Sequence, residues 1–276
     1  MDNKNTIEPS TLIDDSIDQG NQKRVIEFKS NRLFFILGGF FFANAFIAEF
    51  IGVKIFSLEP TLGIETLNWS LAGDGPLQFS AGVLLWPVVF IMTDVINEYF
   101  GVSGVRFLSL LLVGLIAYAF VMVFAAIGLD PADWWVEGYA DKGIPDMQQA
   151  FSGVFGQGMW IIVGSLIAFL VGQIVDAVVF KKAKQYTGNK AVWFRATFST
   201  MVSQLVDSYL VLYIAFVIGA DWTMEMFWSI GTTNYLYKVF VAILFIPLLY
   251  IIHNWIDNYL GEEVATELKE LALKKN

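Results

Sequence analysis

Five acidic or basic side chains of this chain fall inside or at the ends of membrane-length apolar runs. Asp94 and Glu98 close LLWPVVFIMTDVINEYFG, Asp176 ends GSLIAFLVGQIVDAVVF, Asp207 lies within STMVSQLVDSYLVLYIAF, and Lys238 interrupts NYLYKVFVAILFIPLLY. A charge at the bilayer centre costs about 2.5–3.5 kcal/mol even on lenient insertion scales. Such residues persist when they serve a pathway, a ligand or an essential ion pair. Asp94 and Glu98 are four apart and share a helix face, where like charges repel; a proton-coupled carboxylate and an ion pair with Arg106 or Arg195 are the two readings. Gln173 and Asp176 share a face, as do Gln204 and Asp207. The phrases around them, Gly172-Gln173-Ile174-Val175-Asp176-Ala177 and Ser203-Gln204-Leu205-Val206-Asp207-Ser208, follow one pattern.

The elements that must position these groups are apolar helices. Of 276 residues, 56% are hydrophobic and 16% charged, against about 25% charged in a soluble domain. Mean hydropathy is +0.59. This is the composition of an all-α, polytopic membrane protein. Six transmembrane spans are expected at about 33–56, 77–99, 105–128, 151–180, 194–219 and 226–256, each able to cross roughly 30 Å of hydrocarbon. Together they make one domain over 32–257, between a polar tail (1–31, disordered or loosely helical) and a charged tail (258–276). No cleavable signal peptide is expected. Pro87 is expected to kink the second span.

Lys and Arg set the orientation. Lys23, Arg24, Lys29 and Arg32 precede span 1, and Arg106 lies between spans 2 and 3. Lys181, Lys182, Lys184, Lys190 and Arg195 lie between spans 4 and 5, and Lys269, Lys274 and Lys275 follow span 6. The intervening outer loops are acidic. Both termini are therefore expected in the cytoplasm. Trp69, Trp134, Trp135, Trp222 and Trp228 fall at the outer boundary, and Trp193 and Trp255 at the inner one, as aromatic belts do.

Depth, at about 1.5 Å per residue, sorts the polar side chains. Asn44, Asp207 and Lys238 lie near the midplane, and an Asp207–Lys238 pair would keep both charged at depth. Asp94 sits between that layer and the cytoplasm. Glu98 and Asp176 are shallow enough to reach water or loop cations, Glu49 is in the outer half of span 1, and His253 is an interfacial side chain. The candidate substrate-binding set is Asn44, Asp94, Gln173, Gln204, Asp207 and Lys238, with Glu98, Asp176, Arg195 and Glu49 supporting or coupling.

Several classes are excluded or disfavoured. With no cysteine, disulfides, zinc–thiolate sites and iron–sulfur clusters are impossible, and the single His253 rules out a multi-histidine metal site. No phosphate-binding GxxxxGK[ST] loop is present. The missing nucleophile or metal constellation argues against an intramembrane enzyme. No cofactor, metal or nucleic-acid partner is expected; the lipid bilayer is the surrounding partner, and a homodimer is left open.

The run Thr93-Asp94-Val95-Ile96-Asn97-Glu98-Tyr99-Phe100-Gly101, followed by Arg106, resembles the hallmark of the queuosine precursor transporter family, earlier described as vitamin uptake transporters. Further matches are Asn44 and Lys54; Gly172-Gln173 with Asp176 and Phe180; Trp193-Phe194-Arg195 with Ser199, Ser203-Gln204 and Asp207; and Lys238 with Pro247. The resemblance covers about residues 40–255. It implies a six-helix inner-membrane protein, similar to the substrate-binding components of energy-coupling-factor transporters. Its implied activity is import of a 7-deazaguanine precursor of a modified tRNA nucleoside, such as 7-cyano- or 7-aminomethyl-7-deazaguanine. A carboxylate accepts both N1–H and the exocyclic amine of such a base, O6 takes a donor, and the flat face suits the aromatics (25 Phe, 10 Tyr and 9 Trp). The alternative is a substrate-binding subunit for a vitamin-like molecule, docking an ATP-driven partner through Gly39-x-x-x-Ala43; a channel is a further reading.

Overall fold

The computed structural model describes residues 9–66, 77–156, 158–188, 191–219 and 221–274. Trp69 and Lys190 lie outside the described residues, as do Lys275 and the side chains of Lys23, Trp193 and Lys274. The order is α1 (Pro9–Ile51), β1 (Ile55–Ser57), α2 (Leu58–Leu62), β2 (Gln78–Ser80), α3 (Trp86–Ile127), α4 (Asp133–Val136), α5 (Met147–Phe155), α6 (Met159–Thr187), α7 (Val192–Leu212), α8 (Met224–Leu244), α9 (Ile246–Leu260) and α10 (Glu262–Lys274). A 3₁₀ turn, Ala81–Leu84, leads into α3, and a π-helical turn, Tyr213–Ile218, prolongs α7.

Where six separate spans are expected, four helical segments of the described residues are long and apolar enough to cross a membrane, and α8 with α9, bent by 46°, makes a fifth. The bend falls at Phe245, with Pro247 in the first turn of α9. The longest segment is α3. Unbroken, its 42 residues would extend for about 63 Å, twice the hydrocarbon thickness. It breaks at Gly101, whose φ of 71° and ψ of −175° are not helical. A Cβ built on Gly104 would lie 3.6 Å from Ile96 Cγ2, although residues eight apart on one helix are separated by about 12 Å. The chain therefore doubles back.

Contacts with α1 give the directions of the two arms. Gly82, just before α3, abuts Ala48, while Phe100 packs on Phe34 with ring centroids 4.9 Å apart, so the first arm runs antiparallel to α1. Leu108 meets Gly38 and Phe120 meets Phe50, so the second arm runs parallel to it. Glycine is required at the corner twice over. Its backbone is in a region other residues avoid, and a Cβ would stand 2.7 Å from the Ala272 carbonyl oxygen of α10.

Three expectations change. Pro87 occupies the first turn of α3 and starts that helix, where its missing N–H costs nothing; it kinks no span. The segment between α1 and α3 contains a two-stranded antiparallel ribbon, β1 against β2 with Phe56 opposite Phe79, in a chain expected to be wholly helical. Ser80 Oγ donates to the Gly52 carbonyl (2.7 Å), and Phe79 packs on Tyr237 at 4.4 Å between centroids. The ribbon thereby ties the end of α1 to α8. Lys181, Lys182 and Lys184 continue α6 as helix, so the α6–α7 connection shortens to 188–191. The chain is also helical from Pro9 through the N-terminal tail, and the C-terminal tail forms α10, which packs on the Gly101 corner.

Gly101→Ala should lower the thermal stability of the detergent-purified protein by about 1–3 kcal/mol or more. Gly114→Ala, with nothing within 4 Å of the added methyl, should not. Equal melting of the two variants would contradict a strained corner.

Candidate functional site

Antiparallel packing of α6 on α7 brings the two similar phrases together. Small residues permit it: Cβ positions at Gly164 and Gly172 would each fall 3.3 Å from Ala215 Cβ and Asp207 Cβ, respectively. Gly172 thus faces Asp207, while Ser203 donates to Asp176 Oδ1 at 3.0 Å. The small residue opening each phrase meets the aspartate of the other.

A cavity of about 550 Å³ lies between α1, the ribbon, α3, α7 and α8, within the range of small-molecule sites. Its polar wall on α7 comes from Thr200, Gln204, Asp207 and Ser208, which recur at helical spacing. Lys238 and Asn234, one turn apart on α8, face them, and Asp94 on α3 and Glu49 on α1 add two carboxylates. Trp86, Phe90, Tyr237 and Phe216 supply aromatic surface. Lys238 Nζ and Asp207 Oδ2 are 2.6 Å apart, with side chains 24% and 15% exposed. The expected pair forms, and it remains accessible from the cavity it lines. Glu49 accepts a hydrogen bond from Ser165 Oγ at 2.7 Å.

Asp94, Gln204, Asp207, Lys238 and Glu49 are thus brought to one cavity, and Asn44 and Gln173 are not on its wall. Asn44 donates to the Phe40 carbonyl of its own helix (2.8 Å), and Gln173 accepts from Thr93 Oγ1. Two groups expected to reach water or loop cations are enclosed, and one of them, Glu98, meets such a cation in Lys184. Asp176 is fully buried against Ser203. Glu98, also buried, is held by Arg195 Nη2 at 2.8 Å and Lys184 Nζ at 3.2 Å. Arg195 is therefore the partner of Glu98, and Arg106 stays exposed. Lys184 also donates to the Glu98 carbonyl, and Arg195 to the Gly188 carbonyl. This cluster fastens α3, α6 and α7 below the cavity. His253 is buried, with Nδ1 3.3 Å from the Tyr99 hydroxyl, and is not interfacial.

Residues 80–252 match the family described as "Putative vitamin uptake transporter". The chain belongs to this family. The matched segment runs from the last residue of β2 into α9 and includes every cavity carboxylate named above except Glu49. Among curated relatives, the chain is 27% identical to the "Probable queuosine precursor transporter" of Haemophilus influenzae over 194 residues, 68% of this chain and 74% of that protein. It is 28% identical to the protein of the same name from Bacillus subtilis over 188 residues, 66% of this chain and 75% of the relative. It is 29% identical to the "Queuosine precursor transporter" of Escherichia coli over 105 residues, 37% and 46% of the two chains. No solved structure matches. Family membership and the apolar helices make this a multi-pass integral membrane protein, of the inner membrane in a bacterium.

The cavity residues Asn234, Thr200 and Ser208 are not among the sequence-predicted set. The signal for these three was helical register: Asn234 lies four residues before Lys238, and Thr200 and Ser208 lie four to either side of Gln204. Glu98→Gln leaves Arg195 and Lys184 buried without their shared counter-charge. It should cost about 3–5 kcal/mol, read as a large loss of melting temperature and membrane yield. Asn44→Ala, removing one bond within α1, should cost only about 1 kcal/mol. The reverse order would contradict the assignment of Glu98 as the fastening residue.

Proposed function

We propose that this protein is a membrane transporter that imports a queuosine precursor, 7-cyano-7-deazaguanine or a related 7-deazaguanine, into the cytoplasm. The observation carrying this reading is the adjacent carboxylate and ammonium of Asp207 and Lys238 on the wall of an aromatic-lined cavity. A deazaguanine offers two donors, N1–H and the exocyclic amine, beside one acceptor, O6. Asp207 accepts from the donors and Lys238 donates to O6, with Gln204 one turn away and an aromatic ring on the flat face. An adenine-like base presents an acceptor at N1 and would leave buried polar groups unpaired, which gives strong discrimination. Asp94 closes the inner end of the site. The names of the relatives from H. influenzae, B. subtilis and E. coli support the substrate class.

In this reading the chain crosses the membrane six times. The arms 86–100 and 102–127 are separate spans, α8 with α9 is the sixth, and both termini are cytoplasmic. That orientation follows the distribution of Lys and Arg and is supported by the reversal at Gly101. The Glu98 cluster then lies on the cytoplasmic side and the ribbon outside.

Cells unable to make 7-deazaguanines but expressing this protein should take up labelled 7-cyano-7-deazaguanine and incorporate it into tRNA. Asp207→Asn should reduce uptake by about 100-fold or more with protein still in the membrane. Normal uptake by Asp207→Asn would sink the assignment.

A further inference from the structure

A second polar site lies immediately inward of the cavity, at the meeting of α3, α6 and α7. Ser199 Oγ is 3.5 Å from Asp94 Oδ1 and interacts with Asp176 as well. Ser203 Oγ binds Asp176 Oδ1, and Asp176 Oδ2, in a fully buried residue, has no hydrogen-bond partner. Two carboxylates and two hydroxyls thus form a short oxygen-rich path from the cavity wall, which Asp94 helps to line, into the packed interior.

The charges around this path do not balance among the described residues. Asp94, Asp176 and Glu98 bring three carboxylates. Facing them are two cations, Lys184 from α6 and Arg195 from α7, both in contact with Glu98. The other ionisable groups nearby are engaged elsewhere. From α10, Lys269 pairs with Asp257 of α9 at 2.8 Å. Tyr99 donates to Asp257, and His253 contacts Tyr99. On the cavity side Lys238 pairs with Asp207, and Glu49 with Ser165. With all three carboxylates ionised the buried network is one positive charge short, in surroundings where an uncompensated carboxylate costs several kcal/mol.

We propose that the Asp94–Asp176 pair binds one monovalent cation and that this cation couples to substrate movement. The ligand chemistry is a single positive charge taken up by carboxylate and hydroxyl oxygens between the substrate cavity and the Glu98 cluster, and carboxylates enclosed among membrane-spanning helices mark ion and proton paths in transporters. Na⁺ and the proton are its two sources. The inference deepens the transport reading and rests on it. Binding at Asp94 changes the charge of the cavity wall beside the substrate, so occupancy of the two sites is linked, and the ion's gradient drives accumulation of the base.

The test uses the full-length protein in liposomes with labelled 7-cyano-7-deazaguanine, under an imposed Na⁺ gradient, an imposed pH gradient, or neither. One gradient should drive accumulation several-fold above the outside concentration, and which one identifies the ion. Asp176→Asn should keep downhill exchange and lose accumulation. Ser203→Ala, a milder change, should raise the ion concentration for half-maximal uptake several-fold. Plain equilibration under all three conditions, or accumulation by Asp176→Asn equal to wild type, overturns the proposal. Absence of any flux of the base would be a failure of the transport reading instead. The ion site is then read without substrate, as the melting of purified protein in NaCl against choline chloride and between pH 5 and 8. A shift with one ion that Ser203→Ala weakens supports the site, and melting insensitive to both overturns it.

Discussion

One carboxylate is shared among three helices at one end of this molecule. Glu98 receives Arg195 from α7 and Lys184 from α6, all three side chains almost wholly buried. In an apolar surrounding such a cluster does not add much net stability, because desolvation offsets most of the attraction. Its effect is on geometry. Each charge is costly to leave alone, so three helices have one arrangement in which none is. The reversal at Gly101 follows three residues after Glu98, and α10 closes over that corner through Ala272, where no side chain would fit. The cluster lies one helical turn beyond the cavity, whose wall along α3 ends at Asp94.

Next to this cluster, polarity is distributed by helix pairing. The reciprocal contacts of Gly172 with Asp207 and Ser203 with Asp176 place one aspartate toward the cavity and the other toward the interior. Asp207 meets Lys238 and lines the cavity; Asp176 meets Ser203 and Ser199. One repeated phrase thereby supplies two chemically different sites, set by which neighbour each copy meets. The ribbon at the far end, tied to α1 by Ser80 and to α8 by Phe79, joins the two sides of the cavity mouth.

The helical character, the buried charges and the Asp207–Lys238 pair were legible in the sequence, because apolar run length and depth follow directly from hydropathy and helical rise. Depth along an axis, however, says nothing of rotation about it. Asn44 and Lys238 share a depth, yet Asn44 bonds within its own helix and Lys238 faces the cavity. Glu98 and Asp176 lie near predicted span ends, but the helices continue past them and α10 covers the region, so neither reaches water. Pro87 was read as a kink because the apolar run begins at residue 77; the ribbon and the 3₁₀ turn take up its first part, and hydropathy does not separate a buried strand from a helix. The contact of Lys184 with Glu98 depends on tertiary packing over 86 residues.

In the proposed function the cavity recognises a guanine-like edge through Asp207 and Lys238. The most direct measurement is ligand binding by the purified full-length protein, with 7-cyano-7-deazaguanine, adenine and biotin compared by thermal stabilisation. The account predicts stabilisation by the deazaguanine, little by adenine or biotin, and loss of the effect in Asp207→Asn. Equal stabilisation by all three compounds, or an undiminished deazaguanine response in that variant, would contradict it.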